Sequence, residues 1–225
     1  MLLLGHRGAR ASRRIPENTL DSFELCLQHG CDGFEFDVRC SADGAAVVCH
    51  DSAIEGREVA LTAAKVLALP SLEEVLRHFS SRAFLDIELK VPGLDTQLVA
   101  ALRAHPPQKG YVVSSFLPDA LRAVHEVDAG IPLGFLYDRL DRDRLDNDRL
   151  DNDRPEQALP LDRPLAYLIP HFTLLTRELV ERSHGSDRKI MTWTVNRAEQ
   201  MSKFAQWDLD AIISDDTELL VQTLR

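Results

Sequence analysis

Short apolar runs alternate along this chain with longer stretches whose apolar positions recur every three or four residues. That rhythm predicts strand, then helix, many times over. The first run, residues 2–4, stops at Gly5-His6-Arg7-Gly8, as a buried strand does when it ends in a glycine-rich turn. Leu20, Phe23 and Leu27 then form the stripe of a helix that Asn18 or Thr19 can cap and Gly30 can end. Residues 34–38 alternate strictly: Phe34, Phe36 and Val38 share one face and Glu35 and Asp37 the other. Further strands are expected at residues 84–90, 111–115, 132–137, 165–169, 189–195 and 211–214. Helices are expected near 71–79, 94–104, 118–127, 176–183, 198–206 and 217–224. Such a succession implies a parallel sheet covered by helices.

Asp43-Gly44 follows the strand of acids and reads as a two-residue type I′ hairpin turn, because both of its central positions require positive φ. Centred there, the turn pairs Ala42 with Ala45, places Cys49 opposite Val38 and brings Asp37 opposite His50. Residues 46–49 then form a ribbon arm. Of nine strand candidates, eight remain as staves, so the expected fold is α/β, a (β/α)8 TIM barrel with an extra hairpin arm after strand 2. In such a barrel the chemistry sits on the rim at the carboxyl ends of the strands.

The length of 225 residues suits one barrel domain over 1–225. Residues 138–154 interrupt the rhythm with a low-complexity pentad repeat. Its Leu140, Leu145 and Leu150 recur every fifth residue and match neither helix nor strand, so a βα loop of mixed charge is expected there. Asp and Glu number 36 against 26 Lys and Arg, a net charge of −10, which argues against nucleic acid or an anionic membrane as partner. The opening Met-Leu-Leu-Leu-Gly-His-Arg-Gly has neither a basic leader nor a membrane-length apolar run, so a cytoplasmic protein without stable membrane insertion is expected. Cys26, Cys31, Cys40 and Cys49 have no metal-type spacing and are expected as reduced thiols. Nothing in the patterning specifies an oligomeric state.

The rim collects the candidate chemistry. His6 follows the first strand, Glu35 and Asp37 end the second, His50 returns by the ribbon, and Glu88 and Lys90 end the third. Three carboxylates without a cysteine make an oxygen-rich site, suited to one divalent cation, Mg²⁺ or Ca²⁺, rather than zinc. Two histidines beside it suit acid/base work, one taking a proton from the nucleophile and one giving a proton to the leaving oxygen. Arg7 and Lys90 add positive charge for an anionic group. Together these features describe a metal-assisted phosphodiester hydrolase.

Gly5-His6-Arg7-Gly8 with Pro16-Glu17-Asn18-Thr19, then Glu35-Phe36-Asp37-Val38, His50-Asp51, Ile87-Glu88-Leu89-Lys90, Ser115-Phe116 and Trp193-Thr194-Val195-Asn196 resemble the glycerophosphodiester phosphodiesterases, in order and over nearly the whole chain. The resemblance implies hydrolysis of deacylated phospholipids, small-molecule glycerophosphodiesters, to glycerol 3-phosphate and an alcohol. It implies His6 and His50 as the acid/base pair, Glu35, Asp37 and Glu88 as ligands of one divalent cation, Arg7 and Lys90 at the phosphate, and Trp193 lining the pocket. Glu17 and Asn18 are read as structural parts of the rim as much as catalytic ones.

Three features depart from the family pattern: a shortened insertion over 52–70, Ser214-Asp215-Asp216 where Thr-Asp and a proline are usual, and the pentad repeat. The reduced lid leaves room for an alternative, a lysophospholipase D-type lipid hydrolase. A catalytically inactive binding barrel would be marked by loss of a ligand or a histidine, and none is lost. A barrel isomerase or lyase using the carboxylates and Lys90 fits poorly with two rim histidines and the Trp-Thr-Val-Asn match. His171, at the end of the seventh strand candidate, is read as a packing or hydrogen-bonding residue.

Overall fold

The computed structural model describes residues 1–12, 14–138 and 165–225. The chain begins with β1 (Leu2–His6), α1 (Leu20–Gln28), β2 (Gly33–Cys40) and β3 (Ala46–Val48). A small excursion follows, made of β4 (Ala53–Ile54), β5 (Arg57–Glu58), α2 (Ala64–Leu67) and α3 (Leu72–Phe79). Then come β6 (Phe84–Leu89), α4 (Asp95–Ala104), β7 (Tyr111–Ser115), α5 (Pro118–Val127), β8 (Leu133–Tyr137), β9 (Tyr167–Pro170) and α6 (Arg177–His184). The chain closes with β10 (Lys189–Thr192), α7 (Ala198–Ala205), β11 (Ala211–Ser214) and α8 (Thr217–Leu224). From residue 139 on, the pentad repeat lies outside the described residues.

β1 pairs in parallel with both β2 and β11, so the eight parallel strands close on themselves, as a TIM barrel does, while β3 hangs antiparallel on β2. Alternation along the strands makes two apolar layers. Phe34 and Phe36 face the helices. The ring of Phe23 from α1 stacks on Phe34 with centroids 4.2 Å apart, and Phe79 from α3 meets Phe34 edge-on at 5.1 Å. Leu4, Phe84, Val112, Leu136, Tyr167, Ile169, Met191, Ala211 and Ile213, drawn from strands alone, fill the barrel. The aromatic packing holds β2 from behind and leaves its other face for polar groups. Phe34→Ala is expected to cost about 3–5 kcal/mol of stability. A urea unfolding curve showing a loss under about 1 kcal/mol would mean that the ring does not anchor the strand.

β2 can lie where it does because its first residue has no side chain. A Cβ at Gly33 would stand 1.9 Å from the Phe84 carbonyl oxygen on β6. Thr19 caps α1 by accepting from the Ser22 amide, and Ser71 with Glu74 forms a capping box on α3. Asn18, the other expected cap, is instead buried in the rim.

The ribbon corrects the expected register by one residue. Val38 pairs with Val48 and Cys40 with Ala46, and the Ser41 amide donates to the Ala45 carbonyl at 3.0 Å. The loop therefore has three residues, 42–44, with Gly44 at φ +80°. Ser41 decides this: its hydroxyl accepts from the Ala45 amide at 3.0 Å and donates to Asp43 at 2.7 Å. The Asp43 carboxylate then takes the α2 amide of Ala64 at 3.0 Å, tying the ribbon tip to the excursion. Cys49, not His50, stands level with Asp37, and its amide donates to the Asp37 carbonyl at 3.0 Å. All four cysteines are free. Among the described residues no helix is long and apolar enough to cross a membrane.

Candidate active site

The register of β2 on β6 sets Glu35 beside Asp86 and Asp37 beside Glu88. One oxygen each from Glu35, Asp37 and Glu88 lies within 4.8 Å of the others, and all three residues are buried, at 3%, 1% and 7% exposure. Each carboxylate is held from one side. Glu35 accepts the Arg7 amide at 3.0 Å, and Asp37 accepts Asn18 Nδ2 at 2.8 Å. The remaining oxygens, Glu35 Oε1 and Asp37 Oδ1, make no hydrogen bond. Burial, then repulsion from Asp37, Glu88 and Asp86, pushes the Glu35 carboxyl well above its usual range. Burial and Asp37 push Glu88 up to about 7 against the opposing pull of Lys90. Asp37 Oδ1 has the Lys90 ammonium at 3.4 Å, and buried oxygens without hydrogen bonds among mutually repelling carboxylates fit a hard divalent cation, which supplies charge and ligand partners at once.

Asp86 sits one step deeper on the Glu88 face. It accepts Ser114 Oγ at 2.6 Å, its other oxygen is unpartnered, and burial pushes it up to about 7. This is the buried hydrogen-bonding place that strand alternation gives it.

His6 ends β1 with its side chain 11% exposed. Its Nε2 is 3.8 Å from Glu35 Oε2 and its Nδ1 is 2.7 Å from Asp215 Oδ1. His50 lies just past the ribbon, its Nδ1 2.8 Å from Asp51 Oδ1 and its carbonyl accepting Arg39 Nε at 2.7 Å. Burial lowers its pKa, with Asp51 opposing. Arg7 adopts φ +53°, uncommon for a side-chain-bearing residue, and the surroundings over-determine it. Its amide bonds Glu35, while its carbonyl accepts the Asn18 amide at 3.1 Å and Ser22 Oγ at 2.8 Å. The Arg7 guanidinium pairs with Glu17 at 2.7 Å and lies 3.3 Å from Asp37. Lys90 Nζ lies 2.6 Å from Glu88 and 3.4 Å from Asp37, with the Phe116 ring centroid 5.7 Å away.

Trp193 stands farther out and reaches the cluster through Phe116, whose ring it meets edge-on at 5.4 Å. Its Nε1 is spent on the Ile169 carbonyl at 3.1 Å, so it offers an apolar face. His171 packs on Trp193 at 5.2 Å and bonds Thr173.

The structure thus brings His6, Arg7, Glu35, Asp37, Glu88 and Lys90 into one contiguous cluster, with His50 and Trp193 on its flanks. Sequence reasoning quoted Asn196 and Asp215 within motifs but gave neither a role at the site, and it missed Arg10. Asp215 is one residue past the last stave, on the same rim, and that placement was the signal that could have found it.

The sequence pattern of the glycerophosphoryl diester phosphodiesterase family matches residues 6–96 and 54–219. A glycerophosphodiester phosphodiesterase from Caldanaerobacter subterraneus subsp. tengcongensis is 30% identical over an alignment covering 100% of this chain and 98% of that protein. The crystal structure of a glycerophosphodiester phosphodiesterase from Thermotoga maritima superposes with a TM-score of 0.82 at 25% identity, covering 100% of this chain and 98% of the other. A phosphodiesterase from Oleispira antarctica, solved in complex with the product sn-glycerol-3-phosphate, shares the fold with a TM-score of 0.81 at 23% identity, covering 100% and 96%. The matched pattern runs from His6 into α8, and on that ground the chain belongs to the glycerophosphoryl diester phosphodiesterase family.

Proposed function

We propose that this protein hydrolyses glycerophosphodiesters to glycerol 3-phosphate and an alcohol, with His6 and His50 exchanging the protons and Glu35, Asp37 and Glu88 holding one divalent cation, Mg²⁺ or Ca²⁺. The observation that carries this reading is the trio of buried carboxylates with two oxygens that make no hydrogen bond, bordered by Arg7, Lys90 and His6. The cation, when bound, supplies charge that stabilises the phosphoryl oxygens as negative charge builds on them. Arg7 and Lys90 draw the anionic phosphodiester to the rim and orient it. His6 and His50 each have Nδ1 against a carboxylate, which leaves Nε2 to take or give the proton. Trp193 and Phe116 give the substrate's carbon skeleton an apolar wall and exclude water from that side.

Reduced cysteines suit a cytoplasmic setting. The product seen with the Oleispira antarctica phosphodiesterase is the one expected here. The test is release of glycerol 3-phosphate from glycerophosphocholine and glycerophosphoethanolamine, with EDTA and with Mg²⁺ or Ca²⁺ restored. Turnover lost in EDTA and regained with either ion is expected; well-folded protein inactive with both ions on both substrates would overturn the assignment.

A second reading, lysophospholipase D-type hydrolysis, draws on Leu61 and Val66, large apolar side chains exposed on the segment that follows His50. Lysophosphatidylcholine cleaved faster than glycerophosphocholine in the same assay would favour it.

A further inference from the structure

Asp215 reaches across the rim to His6, 209 positions earlier in the chain. Its Oδ1 accepts His6 Nδ1 at 2.7 Å and Arg10 Nη1 at 3.1 Å, and its Oδ2 accepts Asn196 Nδ2 at 2.6 Å. The Asp215 amide donates back to Asn196 Oδ1 at 2.9 Å, so Asn196 grips the residue twice. Ser214 Oγ donates to that same Asn196 oxygen at 3.0 Å. Burial raises the Asp215 carboxyl, but hydrogen bonds from His6, Asn196 and Arg10 outweigh it and hold the group well below the usual carboxylate range. An ionised carboxylate only accepts, so the proton of a neutral His6 sits on Nδ1 and the Nε2 lone pair faces the carboxylate cluster.

Arg10 extends the arrangement. Its Nε bonds Glu17 Oε2 at 2.5 Å, and Glu17 Oε1 takes Arg7 Nη1 at 2.7 Å. The side chains of two consecutive residues, His6 and Arg7, are therefore the two ends of a run of four ion pairs: His6 to Asp215, Asp215 to Arg10, Arg10 to Glu17, and Glu17 to Arg7. Arg10 spans its two carboxylates with separate nitrogens of the fork, Nε on Glu17 and Nη1 on Asp215, a planar separation of donors that a lysine's single nitrogen does not reproduce.

We infer that Asp215 is a positioning residue that fixes the tautomer and ring setting of His6, and that Arg10, through Glu17, locks that setting to the one adopted by Arg7. The inference rests on the reading of His6 as a proton-exchanging group. Its test combines nitrogen-15 NMR of labelled histidines at pH 8, where a free imidazole is neutral, with glycerophosphocholine kinetics.

Wild-type His6 is expected as the Nδ1–H tautomer. In Asp215→Ala the Nδ1–H of His6 loses its acceptor while Nε2 still faces Glu35, so His6 should shift toward the Nε2–H form. With it kcat should fall about 100-fold while KM stays within about threefold. Arg10→Met should keep the tautomer, lower kcat about tenfold and raise KM, because Arg7 is loosened, and Arg10→Lys should not restore either value. An unchanged His6 tautomer in Asp215→Ala, or a kcat within about threefold of wild type, would overturn the inference. If Asp215→Ala does not fold, Asn196→Ala decides: freeing Asp215 Oδ2 and its amide should lower kcat about tenfold, and full activity would count against the clamp. The tautomer is read without turnover, so a wild-type protein inactive on glycerophosphodiesters would refute the proposed function and leave the hold of Asp215 on His6 to be judged by the spectrum alone.

Discussion

His6→Ala is expected to lower kcat on glycerophosphocholine by about 10²–10⁴-fold, the range of a positioned general acid or base. Its Nε2 faces the carboxylate cluster, 3.8 Å from Glu35, whereas His50 is a third exposed and stands on the ribbon side. The truncation leaves every carboxylate in place, so cation binding, followed by calorimetry, should persist in the variant. Retention of more than about a tenth of the wild-type rate would remove His6 from the chemistry.

The second large effect concerns the cation and pH together. Glu88 and Asp86 titrate near 7 in the folded protein and near 4 when unfolded. Between those values the folded state holds more protons than the unfolded one, so the stability of the cation-free protein falls as pH rises from about 4 through about 7. A bound cation takes over the role of those protons. At about 100 times its Kd it should raise Tm by about 5–10 °C at pH 8, and by much less at pH 5, where protons compete for the same oxygens. Thermal melts with EDTA or with Ca²⁺ or Mg²⁺ at the two pH values provide the check. A gain of equal size at both would mean that the ions bind somewhere other than this trio.

The staves and most helices could be read from the sequence because the alternation in β2 and β6 and the three- or four-residue stripes of the helices are local signals backed by burial. The rim cluster followed from them, since strand alternation alone places Glu35, Asp37 and Glu88 on one face. The hairpin register could not be read from Asp43-Gly44, because the deciding group was the hydroxyl of Ser41, which made the dipeptide the tail of a three-residue loop. The β4–β5 hairpin escaped notice for lack of length: two residues per strand show no period, although Glu55 and Gly56 both take positive φ at its turn. Asn18 resembled a helix cap and proved to be the partner of Asp37, a contact 19 residues away. Asp215 stood in the Ser-Asp pair after the last stave, but nothing local tied it to His6. Its meaning lay in the closure of the barrel, which sets the last stave beside the first.

That closure makes the pairing of His6 with Asp215 a reporter on the whole ring. The two residues are near neighbours only after β11 has zipped onto β1, a contact between the extremes of the chain and therefore among the costliest in loop entropy. During refolding from denaturant, recovered activity should accordingly lag behind helix content and the packing of Phe23 on Phe34, which join segments close together in the chain.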